Sequence, residues 1–128
     1  MTEVKVVIDI GSYKWVTLDK DDALRFLDAL ARVLERRTED LEEAERYISH
    51  FEEFYRVMKR RFRDFLVPPK NSADMLMGRV IVDKVKLERS DGRSLATIII
   101  DRRVSEDAVV KALHAIGFKN VSLERREF

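Results

Sequence analysis

Apolar and polar residues alternate over "EVKVVIDI" and "YKWVTL", two runs parted by Gly11-Ser12. Period-two alternation predicts half-buried strands. Glycine first in a two-residue connection predicts a type II′ hairpin. That register sets Ile10 opposite Tyr13, Ile8 opposite Trp15 and Val6 opposite Thr17 on one face, with Asp9/Lys14, Val7/Val16 and Lys5/Leu18 on the other. The period then lengthens: Leu24, Phe26, Leu27, Leu30, Val33 and Leu34 mark the inner side of a helix over residues 20–36, with Asp19 or Asp21 to cap it. A second helix is expected over 39–66, acidic at its start and basic at its end, as the helix dipole favours. No glycine or proline lies between Lys20 and Leu66, so one continuous helix stands beside two joined near Arg36–Thr38, the choice taken here.

"VPPKNS" ends the helical region, because proline excludes the residue before it from helix. It forms a linker over 67–74. Next, "MLMGRVIVDKVKLERS" and "RSLATIIID" flank Asp91-Gly92, a type I′ hairpin signal. Val85/Ile98, Leu87/Ala96 and Asp83/Ile100 share one face, and Lys84/Ile99, Lys86/Thr97 and Glu88/Leu95 the other. The alternation slips near Val82–Lys84, which predicts a bulge. Ser105 caps a helix in "EDAVVKALHAI", Gly117 closes it, and "FKNVSLERREF" returns as a strand. The order is β-β-α-α-β-β-α-β in a single domain over 1–128: an α+β fold, with an antiparallel-rich sheet bearing helices on one face.

"FEEFYRVMKRRFRDFL", residues 51–66, packs four phenylalanines, a tyrosine and five cations into sixteen positions. At 100° per residue, Ala44, Tyr47, Ile48, Phe51, Phe54, Tyr55, Met58, Phe62, Phe65 and Leu66 fall on one arc, the core-facing stripe of a packed helix. Arg56, Arg60 and Arg63 lie opposite, with Lys59 and Arg61 at the margins. Dipole compensation accounts for such a basic end; phosphate contact also does, since five cations in two turns exceed what the dipole needs. Lys84 and Lys86 project from the second hairpin. They either guard an edge strand or line a groove with the helix end. Tyr13 and Trp15 share a face with Val6, Ile8 and Ile10, where burial is expected; partial cover would leave an apolar floor with basic rims.

Composition narrows the field. The chain has 128 residues, 45% hydrophobic and 38% charged, with a net charge of +1. The whole molecule is therefore no polycation. No cysteine is present, which leaves no disulfide, thiolate metal site or thiol nucleophile and suits a reducing cytoplasm. No apolar run reaches the roughly 18 residues of a membrane span, and "MTEVKVVIDI" is no signal peptide. High Lys, Arg and Glu usage with few glycines is thermophile-like.

"VVIDIGSYKWV" resembles the phosphate-binding hairpin of the actin/hexokinase/Hsp70 ATPases and, more distantly, the first strand of RNase H-like nucleases. The resemblance implies a metal-linked carboxylate at Asp9. Those ATPases need far more chain, and "TLDKDDALRFL" enters helix without a third strand. His50 and Glu53 lie one helical turn apart without a third ligand of recognisable spacing, and His114 suits a helix end. The reading is therefore of a non-enzyme, with no cofactor and no metal.

The expected function is binding of nucleic acid, single-stranded DNA above all. Arg56, Lys59, Arg60, Arg63, Lys84 and Lys86 would meet phosphates, and Tyr13 and Trp15 would stack. In its size, thermophile-like composition and helix-backed small sheet with aromatic and basic groups, the chain resembles the ThermoDBP-type single-stranded-DNA-binding proteins of hyperthermophilic archaea. The alternative is a non-enzymatic assembly subunit, self-associating or binding a protein partner through its amphipathic helices and the exposed edge of its last strand.

Overall fold

A computed structural model of the chain describes residues 3–127. Met1, Thr2 and Phe128, counted in the domain above, lie outside the described residues. The elements are β1 (Glu3–Ile8), β2 (Lys14–Asp19), α1 (Lys20–Leu34), α2 (Glu39–Ser49), α3 (Phe51–Arg60), α4 (Ser72–Leu76), β3 (Val82–Ser90), β4 (Arg93–Ile100), α5 (Glu106–Ala115) and β5 (Asn120–Arg125). The strands form one sheet in the order β3-β4-β2-β1-β5. Its pairs are antiparallel except β1 with β5, which run parallel. The expected α+β class stands. Val6, Val16, Ile98 and Val85 from the sheet meet Phe26, Leu30, Ile48, Phe51 and Leu113 from the helices in one buried cluster. Each such side chain gains about 1.5–3 kcal/mol from burial. The helices cover one face of the sheet and leave the other largely open.

The expected helix over 39–66 is corrected. His50 (φ −102°, ψ 47°) divides it into α2 and α3, and α3 stops at Arg60. Two helices in this glycine-free region end on a left-handed residue: Glu35 (φ 55°) after α1 and Phe62 (φ 53°) after α3. In each case the next amide reaches back five residues, Arg36 N–H to the Ala31 carbonyl at 3.1 Å and Arg63 N–H to the Met58 carbonyl at 3.0 Å. Glycine ordinarily fills that left-handed position; the break after α1 falls where two helices were expected to join, whereas the stop after α3 has no sequence signal. Beyond the stop, Phe62 and Phe65 leave the helical stripe. Leu66 exchanges both backbone hydrogen bonds with Val85, at 2.8 and 2.9 Å.

The linker runs along the outside of β3 and then forms α4, where the Asn71 side chain accepts from the amides of Ala73 and Asp74. Met75 and Leu76, expected to begin a strand, therefore sit on a short helix. β3 begins at Val82. A carboxylate from α2 holds its start: Asp40 is fully buried, and its Oδ2 accepts from Ile81 N–H at 2.9 Å and Val82 N–H at 2.7 Å.

The second hairpin matches its expected register, with Val85↔Ile98, Lys86↔Thr97 and Leu87↔Ala96. Asp91 (φ 51°) and Gly92 (φ 77°) make the turn. The bulge between Val82 and Lys84 sets Val82, rather than Asp83, opposite Ile100.

The first hairpin is shifted by one residue. Val6 faces Val16, Val7 faces Trp15 and Ile8 faces Lys14. The loop is Ile10-Gly11-Ser12: Ser12 N–H donates to the Asp9 carbonyl at 2.9 Å, Asp9 N–H to the Tyr13 carbonyl at 3.1 Å, and Ser12 is left-handed at φ 69°. This is a type I turn closed by a left-handed residue, the common three-residue hairpin. The Asp9 side chain fixes it by accepting from Gly11 N–H at 2.9 Å and Tyr13 N–H at 3.1 Å. A shift of one residue inverts the faces of β2. Trp15 and Thr17 join Val7 on the open face, and Lys14 falls beneath the helices, 4% exposed.

Candidate nucleic-acid interface

The inverted register builds a trough on the open face. Val7, Trp15, Thr17 and Thr97 form its floor, Lys86 and Glu88 one wall, and Glu3, Lys5 and Arg126 the other, enclosing about 530 Å³. The Thr17 and Thr97 hydroxyls bond at 2.8 Å across β2 and β4. Trp15 is half-buried, and its indole Nε1–H donates to Asp9 Oδ2 at 2.9 Å. Asp9 thus accepts three hydrogen bonds from its own hairpin. The carboxylate singled out by its resemblance to nucleotide-binding hairpins locks the turn and orients the indole.

Phe65, brought over the β3 edge by the chain leaving α3, meets Trp15 edge-on, with ring centroids 6.0 Å apart and planes at 81°. Lys84 lies over the Phe65 ring, its Nζ 4.4 Å from the centroid. The far rim has mixed charge: Lys5 pairs with Glu124 at 3.1 Å, and Arg126 pairs with the same carboxylate. Arg126 and Lys5, bonding to Glu124, hold its carboxyl below the usual carboxylate range.

Lys86 also lines a second, smaller hollow of about 240 Å³ outside β3, with Lys59, Arg63 and Arg89 among its cations and Asp64 and Glu88 among its anions. Lys59 leans on the Tyr55 ring at 5.4 Å. Arg89 lies over Phe51 and Tyr55 at 5.8 and 5.6 Å and pairs with Glu52. The helix end and the second hairpin therefore do meet, as a groove between them requires. Lys59, Arg63 and Lys86 come together there. Lys84 and Trp15 stand on the open face.

Arg56 and Arg60 line neither hollow and project from the exposed side of α3. Tyr13 is not beside Trp15. It sits at the hairpin tip, where a Cβ on Gly11 would lie 3.3 Å from its ring. Phe62 reverses its expected burial: it is 95% exposed and follows Lys59, Arg60 and Arg61, all exposed. Phe65, Lys5 and Arg126 join the site without having been expected, the first hidden by an overlong helix and the others by a shifted register. Arg89, at the end of the second hairpin, joins it as part of the basic group expected there.

Among the described residues no group of three or more histidines or carboxylates is placed to hold a metal ion. No described helix is long and apolar enough to cross a membrane. The apolar sides of α1 and α2, with Phe26, Leu30, Leu41 and Ile48, are buried in the core. No protein-family model, curated protein or solved structure matches the chain.

Proposed function

We propose that the open face binds single-stranded nucleic acid, the strand lying in the Trp15 trough and passing Lys86 into the hollow beside α3. The observation that carries this reading is the position of Lys86, shared by an aromatic-floored trough and a hollow where Lys59, Arg63 and Arg89 gather. A sheet face with rings in its floor is suited to unpaired bases, which stack on it while cations follow the backbone. Phe62, exposed and next in the chain to Arg63 of that hollow, offers a further ring. A bulky residue held in the left-handed region is strained by roughly 1–2 kcal/mol, and strain of this kind gathers at functional sites. The ThermoDBP-type resemblance implies the same ligand class.

Carboxylates interleave with the cations, so binding draws on stacking as much as charge. With about four phosphates neutralised, the logarithm of affinity should fall with that of salt at a slope near −3. Trp15 is the only tryptophan, so its emission reports on the trough alone. A labelled oligonucleotide titrated at low and high salt should show both a polarisation rise and Trp15 quenching. Phe62→Ala should weaken binding about tenfold, the scale of one stacked base, and Lys86→Glu combined with Arg63→Glu should abolish it. Binding that leaves Trp15 emission unchanged, or none at low salt, overturns the reading.

A further inference from the structure

The two edges of the sheet are finished differently. At β3, Leu66 already holds Val85, a bulge interrupts the strand, and Lys84, Lys86 and Arg89 project from it; these are standard protections against a further strand. β5 has neither an added segment nor a bulge, and its charged side chains are already committed within the chain, Arg125 to Glu106 and Glu124 to Lys5 and Arg126. The Arg126 amide donates to the Ile8 carbonyl at 2.9 Å. In a parallel ladder that phase turns the backbone of Asn120, Ser122 and Glu124 toward β1, and that of Val121, Leu123 and Arg125 outward. Among the described residues those outward groups accept and donate nothing. Leu123, central on the edge, is 47% exposed. The Ser122 hydroxyl is buried without a hydrogen-bond partner.

We propose that β5 pairs antiparallel with β5 of a second copy of this chain, about a two-fold axis through Leu123, joining two sheets edge to edge. The strand is self-complementary in that register. Leu123 meets Leu123 of the second copy, and Val121 meets the aliphatic stem of Arg125. Ser122 stands opposite Glu124, and no like charges stand opposite one another within the strand. All three outward residues pair with outward residues, using every free backbone group of the edge. Such a junction is small and implies a micromolar dissociation constant. The axis stands perpendicular to the sheet, so both open faces lie on one side. On the nucleic-acid reading, the two troughs then act on one strand with raised effective concentration; the pairing itself does not depend on that reading.

The test uses protein alone. Light scattering at ~100 µM should give twice the 15.1 kDa of one chain, falling to one chain on dilution. Leu123→Pro removes only an outward amide, so it should yield a monomer with unchanged circular dichroism. The chain has no cysteine, so an introduced thiol reports without background. Directly opposed residues bring their Cα atoms about 5.5 Å apart, within disulfide reach. Oxidation of Leu123→Cys should therefore link the dimer covalently, whereas Val121→Cys, opposed to Arg125, should link far more slowly. A one-chain mass at ~100 µM, a dimer that survives Leu123→Pro, or equal linking of the two thiol variants overturns the proposal.

Discussion

The two hairpins lie side by side in one sheet and are joined by β2 and β4, yet their turns are held by different means. In the second, the backbone suffices: Asp91 and Gly92 adopt left-handed angles, and the strands pair as the alternation of their residues requires. In the first, a side chain decides. Asp9 gathers the amides of Gly11 and Tyr13 into a three-residue loop, and the register shifts by one although "Gly-Ser" favours a two-residue turn. A local hydrogen-bonding side chain can thus override a glycine signal, and the consequence reaches the site. The shift lifts Trp15 onto the open face and drives Lys14 beneath the helices.

Removing the side chain that decides should have the largest effect. Asp9→Ala deletes three hydrogen bonds to a charged acceptor and should destabilise the fold by about 3 kcal/mol in urea denaturation, with altered Trp15 emission. A loss below about 0.5 kcal/mol, the scale of an ordinary surface change, would show that Asp9 does not set the register. Gly92→Ala tests the backbone-held turn. A Cβ there meets nothing within 4 Å, so only the left-handed angle opposes it, at about 1 kcal/mol. Ser12→Gly should run the other way, gaining up to about 1 kcal/mol by relieving the left-handed serine.

A smaller effect concerns Lys14. Burial pushes its ammonium below the ordinary lysine value of 10.5, although its Nζ donates to the Arg102 carbonyl at 2.9 Å. The unfolded chain therefore holds this proton more tightly than the folded one. Stability should rise as pH climbs from the depressed folded value toward 10.5, and Lys14→Met should flatten that rise. Smallest of all, Lys86→Glu should change stability by less than about 0.5 kcal/mol while weakening oligonucleotide binding. A large destabilisation would make Lys86 a structural residue.

Legibility followed the same division. Where backbone preference and residue alternation agreed, as in β3, β4, α5 and its Ser105 cap, the elements and even the bulge near Val82 could be read from the residues. Where structure depended on a residue acting against its average tendency, it could not. His50 breaks the helical run and Phe62 ends it with no glycine or proline to mark either point, so residues 39–66 read as one stripe, and Phe62 and Phe65 were placed in the core. The meeting of Lys86 with Lys59 and Arg63 was foreseeable only as a condition, since it depends on where the chain crosses β3. Arg56 and Arg60 share the same basic run yet miss the groove, because charge density carries no direction.

Asp40 has a consequence for how the molecule opens. The amides of Ile81 and Val82 find their acceptor on α2, 41 and 42 positions earlier in the chain, rather than on a neighbouring strand. Neither can exchange with solvent by fraying of the outer hairpin alone, because α2 must first withdraw. In deuterium exchange these two protons should therefore be lost only with the whole fold, marking the start of an edge strand as one of its most protected points.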